Sequence, residues 1–296
     1  MYDMKLSFFT NDESFPFFIQ YGGHDEGLSV HGHRDFCELV VVLEGKATHI
    51  VTSVSESNEG QGEERYDIRK GDVFCIGEGI RHGYEAVENF RICNIMFRPN
   101  VFLAEDYDVK TLAGFHALFV VEPKLNAVQP FRSQFRLSAA DFSAFEKLIS
   151  VTIEEYGSGR GGSKTLLQSL FMQIVVFLSR SYGAPSKTDY IESVANSAAY
   201  MERHFSEENC MERVLSQLHY SGRHFVRLFT SAYGSTPTKY LQEIRLRRAC
   251  ALLRETALPV TEISLRCGFS DPSYFSRAFR KNFGSAPNTY RQSNRL

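Results

Sequence analysis

The stretch VTEISLRCGFSDPSYFSRAFRKNFGSAPNTYR (260–291) decides how this chain is read, because it repeats a stretch lying 50 residues earlier. At that offset Glu212 pairs with Glu262, Leu215 with Leu265, Phe225 with Phe275, Arg227 with Arg277 and Phe229 with Phe279. Gly234 pairs with Gly284, Ser235 with Ser285, Pro237 with Pro287 and Tyr240 with Tyr290, all without a gap. A repeat fixes architecture before any local feature does. Each copy has one grammar. A short helix carries the Glu and Leu. A tight turn follows, with Gly222 in one copy and Gly268 near the turn in the other. Ser221 or Asp271 caps a second helix, which places its phenylalanines on one face. Gly234 or Gly284 ends that helix, and Pro237 or Pro287 opens the next element. Helix, short turn, helix is the form whose second helix enters the DNA major groove.

With the apolar positions turned inward, the polar positions of the second helices face outward. In the first copy these are Ser221, Arg223, His224, Val226 and Arg227; in the second they are Pro272, Ser273, Ser276, Arg277, Arg280 and Lys281. Arg can donate two hydrogen bonds to guanine, and hydroxyls with helix N-termini suit phosphate oxygens. Arg227 and Arg277 recur in both copies, so an ion pair with Glu212 and Glu262 is as good an expectation for them as DNA contact. Arg223 and Ser273 differ at equivalent positions, as readers of unlike half-sites must. The connector, about Pro237 to Arg254, has the apolar spacing of one continuous helix. Eighteen helical residues span about 27 Å. With flanking turns this separates the two readers by roughly one DNA turn, about 34 Å.

Charge divides the same way. Residues 191–296 hold 15 Lys and Arg against 9 Asp and Glu, while residues 1–190 hold 18 against 26. The +6 end suits a polyanion and the −8 end does not. None of the six cysteines forms a CxxC pair, and the start lacks the basic and apolar regions of a secretion signal. The longest apolar run, Leu166 to Leu178, is interrupted by glutamines and is too short for a bilayer. A cytoplasmic protein with no membrane partner is expected.

The C-terminal region resembles the DNA-binding domain of the AraC/XylS family of transcriptional regulators. The matching text is RLRRACALL (245–253) followed by 260–291, within about 100 residues from Ser197 onward. Ser264 stands where that family usually has alanine. The resemblance implies a mostly activating regulator that binds double-stranded promoter DNA and contacts RNA polymerase.

The other half reads differently. VHGHRDFCELVVVLEG, ATHIVTSV, YDIRKGDVFCIG and FRICNIMF are short β-rich runs between turns, as in a small barrel or sandwich. SESNEGQGEER (55–65) is a polar loop between two of them. His31 and His33 share one side of a strand, with Glu38 and Gly45 following at the spacing HxHx4Ex6G, and GDVFCIGEGIRH (71–82) ends in His82. This layout resembles the cupin barrel, with Gly77 where cupins often have proline. His31, His33, Glu38 and His82 then form an effector pocket without metal, which is the preferred expectation. They form instead a site for zinc, manganese, iron or nickel, or they are inherited packing residues. Ser138 caps a helix running to about Tyr156, and a second runs from about Ser163 to Arg180, a core pair or a subunit interface. The stretch from His31 through NIMFRP (94–99), with this pair, is most similar to the rhamnose-responsive branch of the family, which implies a sugar effector.

The expected fold class is therefore α+β. A cupin-like effector domain spans 1–135, a helical pair for dimerisation 136–182, a linker 183–190 and the double helix-turn-helix domain 191–296. The expected function is a sugar-responsive, homodimeric, non-enzymatic transcriptional regulator. The alternatives are a metal-dependent cupin enzyme fused to a DNA-binding domain, and a sequence-blind architectural DNA binder.

Overall fold

A computed structural model describes residues 3–53, 63–103, 107–128, 135–182 and 189–294. Most of the polar loop and positions 183–188 of the expected linker lie outside the described residues. The chain forms two compact units, Met1–Ala195 and Asn196–Leu296.

The first unit is built on seven strands: β1 (Asp3–Met4), β2 (Phe17–His24), β3 (Leu28–His33), β4 (Cys37–Ser53), β5 (Glu63–Arg69), β6 (Val73–Ile76) and β7 (Ile80–Phe97). β4 and β7 pair antiparallel along their length, with register shifts between Val42 and Thr48. On either side of that shift the outer neighbours change. β7 takes β3 at its start and β2 at its end, while β4 takes β6 at its start and β5 at its end. Bulges bend strands in this way, and the sheet curls.

The sequence reading separated VHGHRDFCELVVVLEG from ATHIVTSV at the turn signal Gly45. The structure instead runs β4 straight through it. Gly45 has φ +70°, and a Cβ there would lie 2.2 Å from the Glu88 carbonyl oxygen. It is a bulge glycine, not a turn glycine. The inward phase shifts with it: Val40 and Val42 before the bulge, Ala47 and Val51 after it, share one core with Tyr66, Phe74, Tyr84 and Phe90.

The opposite face of the sheet, with Leu39, Val41, Cys93, Ile95 and Phe97, packs on helices. Three short ones, α1 (Pro99–Phe102), α2 (Ala113–His116) and α3 (Glu122–Val128), had no counterpart in the sequence reading. They are four to seven residues long, and the apolar run LFVV (118–121) between α2 and α3 lacks a period that tells helix from strand. α4 (Ala139–Gly157) starts at Ser138, whose Oγ accepts the Asp141 N–H at 3.1 Å. α5 (Ser163–Ser181) is its neighbour. Phe145, Ile149, Phe171, Ile174 and Leu178 of this pair lie in the same core as the sheet's outer face. Gly77 follows from this packing. A Cβ at Gly77 would stand 2.7 Å from the Pro123 carbonyl oxygen, so a proline there would push α3 off β6.

The division between the units falls within α6 (Asp189–His204). The second unit continues with α7 (Cys210–Ser216), α8 (Gly222–Tyr233), α9 (Pro237–Glu255), α10 (Val260–Arg266), α11 (Pro272–Phe283) and α12 (Pro287–Asn294). α7 and α10 begin and end 50 residues apart, and so do α8 and α11. The aromatic packing repeats too: Phe229 meets Tyr240 at 5.4 Å and Phe279 meets Tyr290 at 5.4 Å. Gly234 and Gly284 end the second helices at φ +68° and +75°, a conformation that favours glycine. Gly222 is the first residue of α8 rather than a turn residue, whereas Gly268 does turn the chain, at φ +80°. Ser264 is fully buried, and its Oγ donates to the Thr261 carbonyl at 3.1 Å, so the hydroxyl is accommodated without loss. No helix among the described residues is long and apolar enough to cross a membrane.

Candidate functional site

The curled sheet gathers His31, His33, Glu38 and His82. β3 sets His31 directly across from His82 of β7, and His33 follows two residues on. Glu38 stands at the start of β4. All four side chains are buried, and one donor atom from each lies within 4.8 Å of the others. Glu38 Oε2 is 3.2 Å from His33 Nε2 and 3.2 Å from His82 Nε2, and the two imidazole nitrogens are 3.3 Å apart. These contacts are close but misaligned, since Glu38 Oε2 and His33 Nδ1 are left without a hydrogen-bond partner. Buried polar atoms rarely stay unpaired in a group that serves packing alone.

Burial keeps His31 and His82 neutral. Burial pushes His82 down to about 4, against the opposing pull of Glu38. Burial likewise lowers His31. Burial would raise the Glu38 carboxyl, yet His33 and His82 beside it outweigh that and hold it well below its usual range. At neutral pH the Glu38 carboxylate thus faces neutral imidazoles at His31 and His82, each with one lone-pair nitrogen. His31 Nδ1 donates to the Ser29 carbonyl at 3.0 Å, which leaves Nε2 as the lone-pair nitrogen.

That donor set fits a divalent transition metal. Bonds of about 2.1 Å in tetrahedral geometry place donors about 3.4 Å apart, and three separations here are 3.2–3.3 Å. His33, His82 and Glu38 would hold such an ion with His31, and it would supply a Lewis-acidic centre for oxygen ligands. The same groups also suit hydroxyls, through a carboxylate acceptor and imidazoles of either polarity.

Sequence reading missed four inward-facing polar residues. His49 Nε2 lies 3.3 Å from His82 Nδ1, and His49 Nδ1 lies 2.9 Å from the Tyr66 hydroxyl. The Tyr84 hydroxyl and Asn94 Oδ1 are buried without a hydrogen-bond partner. The available signal was a histidine on the inward phase of an otherwise Val, Ile and Ala strand, concealed by the bulge at Gly45.

The second unit carries the opposite kind of surface. Ser221 caps α8 by accepting the His224 N–H at 3.3 Å, and Asp271 caps α11 by accepting the Ser273 N–H at 2.7 Å. Arg223, Val226, Arg227, Ser273, Arg277, Arg280 and Lys281 are exposed. His224, Pro272 and Ser276 are half-buried. Phe225 and Phe229, and Phe275 and Phe279, are fully buried, so each helix turns its outer face away from its core. The expected pairing of the repeated arginines with Glu212 and Glu262 is not what forms. Arg227 reaches His224 Nδ1 at 3.1 Å, Arg277 lies 3.9 Å from Asp271, and Glu262 pairs with Arg266 at 2.6 Å. The i,i+4 partner on the same helix is nearer than any arginine on the next. Tyr274, also exposed and unremarked in the sequence reading, accepts a hydrogen bond from Gln242 Nε2 of α9 at 2.7 Å.

Comparison with known proteins agrees with this geometry. A helix-turn-helix domain family matches residues 214–293. The HTH-type transcriptional activator RhaS of Salmonella arizonae is 32% identical over 262 residues, covering 88% of this chain and 86% of its own. The chain belongs to the AraC family of transcriptional regulators. RhaS of Klebsiella pneumoniae is 31% identical over the same extent of this AraC-family regulator. Among solved structures, the C-terminal domain of AraT, a response regulator from Geobacillus stearothermophilus, is 33% identical and covers 35% of the regulator and 87% of its own chain, with a TM-score of 0.34. The AraC-family regulator is thus a DNA-binding protein, and its relatives are activators of transcription rather than enzymes.

Proposed function

We propose that this regulator activates transcription in response to a sugar or similar polyhydroxylated molecule held inside the curled sheet by His31, His33, Glu38 and His82. The observation carrying this reading is a buried polar cluster with unpaired atoms, in a chain whose other unit binds DNA. Similarity to activators named RhaS supports the sugar class. On the DNA side, Arg223, Val226 and Ser273 read bases, while Ser221, Pro272, Ser276, Arg280 and Lys281 sit along phosphates. His224, Arg227 and Arg277 flank the groove. Val226, exposed on α8, suits a thymine methyl. α9, 19 residues and about 28 Å long, sets the spacing of the two readers.

The helical segment 136–182 serves homodimerisation. Val151 and Leu166 are large apolar residues left exposed on the α4–α5 pair. The regulator contacts RNA polymerase at the promoter and works in the cytoplasm, where its six unpaired cysteines stay reduced. The ligand acts by binding one arrangement of the protein more tightly than another. The test is operator affinity of the purified protein across a panel of monosaccharides. One sugar class should shift affinity at least several-fold, whereas no shift with any polyhydroxylated compound would refute the effector assignment.

A further inference from the structure

Five polar side chains in the curled sheet form a continuous line: Tyr66 hydroxyl, His49, His82, and then the group with His33 and Glu38. His49 touches none of the atoms that a ligand at the cluster would contact. It is fully buried, held between the rings of Phe74 at 4.5 Å and Tyr84 at 5.3 Å. Both of its nitrogens are engaged, one by Tyr66 and one by His82. A buried imidazole with two such partners couples its own tautomer to that of the ring it bonds.

We propose that His49, backed by Tyr66, is a positioning residue that holds His82 from behind and relays its tautomer, so that His82 Nε2 can turn a lone pair to a divalent transition metal held by the four-residue cluster. The proposal rests on the reading of this cluster as the regulator's ligand site, and names what that site is built around.

The line has two self-consistent hydrogen-bond states. In one, the Tyr66 O–H donates to His49 Nδ1, His49 Nε2–H donates to His82 Nδ1, and His82 Nε2–H faces Glu38. In the other, His82 Nδ1–H donates to His49 Nε2, His49 Nδ1–H donates to the Tyr66 oxygen, and His82 Nε2 presents a lone pair beside Glu38. Both states hold the same number of protons. In passing from the first to the second, the His82 Nε2 proton is given up to bulk solvent and one is taken from bulk solvent at the Tyr66 oxygen, so the exchange is neutral overall. A ring whose outer nitrogen already donates to a fixed acceptor is the better metal ligand, and loss of such an outer partner weakens metal binding by roughly 10–100-fold. His31 is supported in the same manner by the Ser29 carbonyl, at 3.0 Å from Nδ1. The site therefore has two imidazoles oriented from behind, a third in His33, and a carboxylate.

The test uses the full chain with zinc or cobalt(II) alone. The wild type should bind one ion per chain in competition with a chelator, and cobalt should give visible absorption bands of low-coordinate nitrogen and oxygen ligation. His49→Leu should weaken zinc about 10–100-fold and alter the cobalt bands, while His49→Gln, whose amide oxygen can still accept from His82 Nδ1–H, should recover most of the affinity. Tyr66→Phe is the milder variant, with an intermediate loss expected. In the unmutated protein, nitrogen NMR should show His49, which does not touch the ion, switching its proton from Nε2 to Nδ1 when zinc is added. No one-to-one binding by the wild type, equal affinity in His49→Leu, equal loss in both His49 variants, or an unchanged His49 tautomer would each overturn the proposal. Sugar response is read separately by operator affinity. A response that survives without metal binding removes this inference alone, and metal binding without any sugar response removes only the effector reading.

Discussion

The two units place their polar residues in opposite ways. In the first, His31, His33, Glu38, His49 and His82 are all buried. In the second, Arg223, Arg227, Ser273, Arg277, Arg280 and Lys281 are all exposed, on helices whose other faces are sealed by phenylalanine. A buried polar group requires a partner small enough to enter, and an exposed basic helix suits a polymer too large to enter anything. The contrast separates the signal that the protein receives from the surface on which it acts.

The largest effect expected is on the second unit's framework. Phe229→Ala removes a fully buried ring that packs on Phe225, Tyr233 and Tyr240, at a cost of about 3–5 kcal/mol. Calorimetry should show the second unit's transition lost or lowered while the first unit's stays in place; parallel lowering of both would break the independence of the two regions. Acid should act on the first unit. His82 and His116 are both pushed down to about 4 by burial, below the ordinary 6.5. Their folded forms bind fewer protons than the unfolded chain, so stability is full above pH 6.5 and falls as pH drops towards 4. The loss is roughly 3 kcal/mol per histidine, read as a lower urea midpoint at pH 4.5 than at pH 7. A midpoint independent of pH over that range would show that these rings are not held neutral.

Arg223→Ala should cost about 1–3 kcal/mol at one base of one half-site, measured by affinity for operators varied at single positions. Equal loss on every sequence would place Arg223 on phosphate and make the two copies equivalent readers. Smallest is the cap. Ser221→Ala removes the acceptor for the His224 N–H and should destabilise α8 by about 1 kcal/mol, with little change in base preference.

The second unit was almost wholly legible in the sequence, because both its periods are local. A helix announces itself within two turns, and an ungapped repeat states each cap twice. Ser221, Asp271, Gly234 and Gly284 all stand where their chemistry puts them. The roles of the repeated arginines were less legible. Ion pairing depends on which rotamer reaches which partner, and Arg266 reached Glu262 first. In the first unit the buried four-residue cluster itself could be read from spacing, since HxH on a strand places both rings on one side. His49 could not, because the bulge at Gly45 shifts the phase of β4 and no sequence period survives such a shift. The helices between Pro99 and Val128 were hidden for another reason. They are too short to show a period and are held by packing against the sheet rather than by propensity.

Under the proposed function the buried cluster, and not the DNA-binding surface, carries the response to the ligand. Operator affinity measured against sugar concentration tests it, for the wild type and for His33→Ala. Both proteins should bind the operator with the same affinity without sugar, and only the wild type should respond to it. An unchanged dose–response curve in His33→Ala would contradict it.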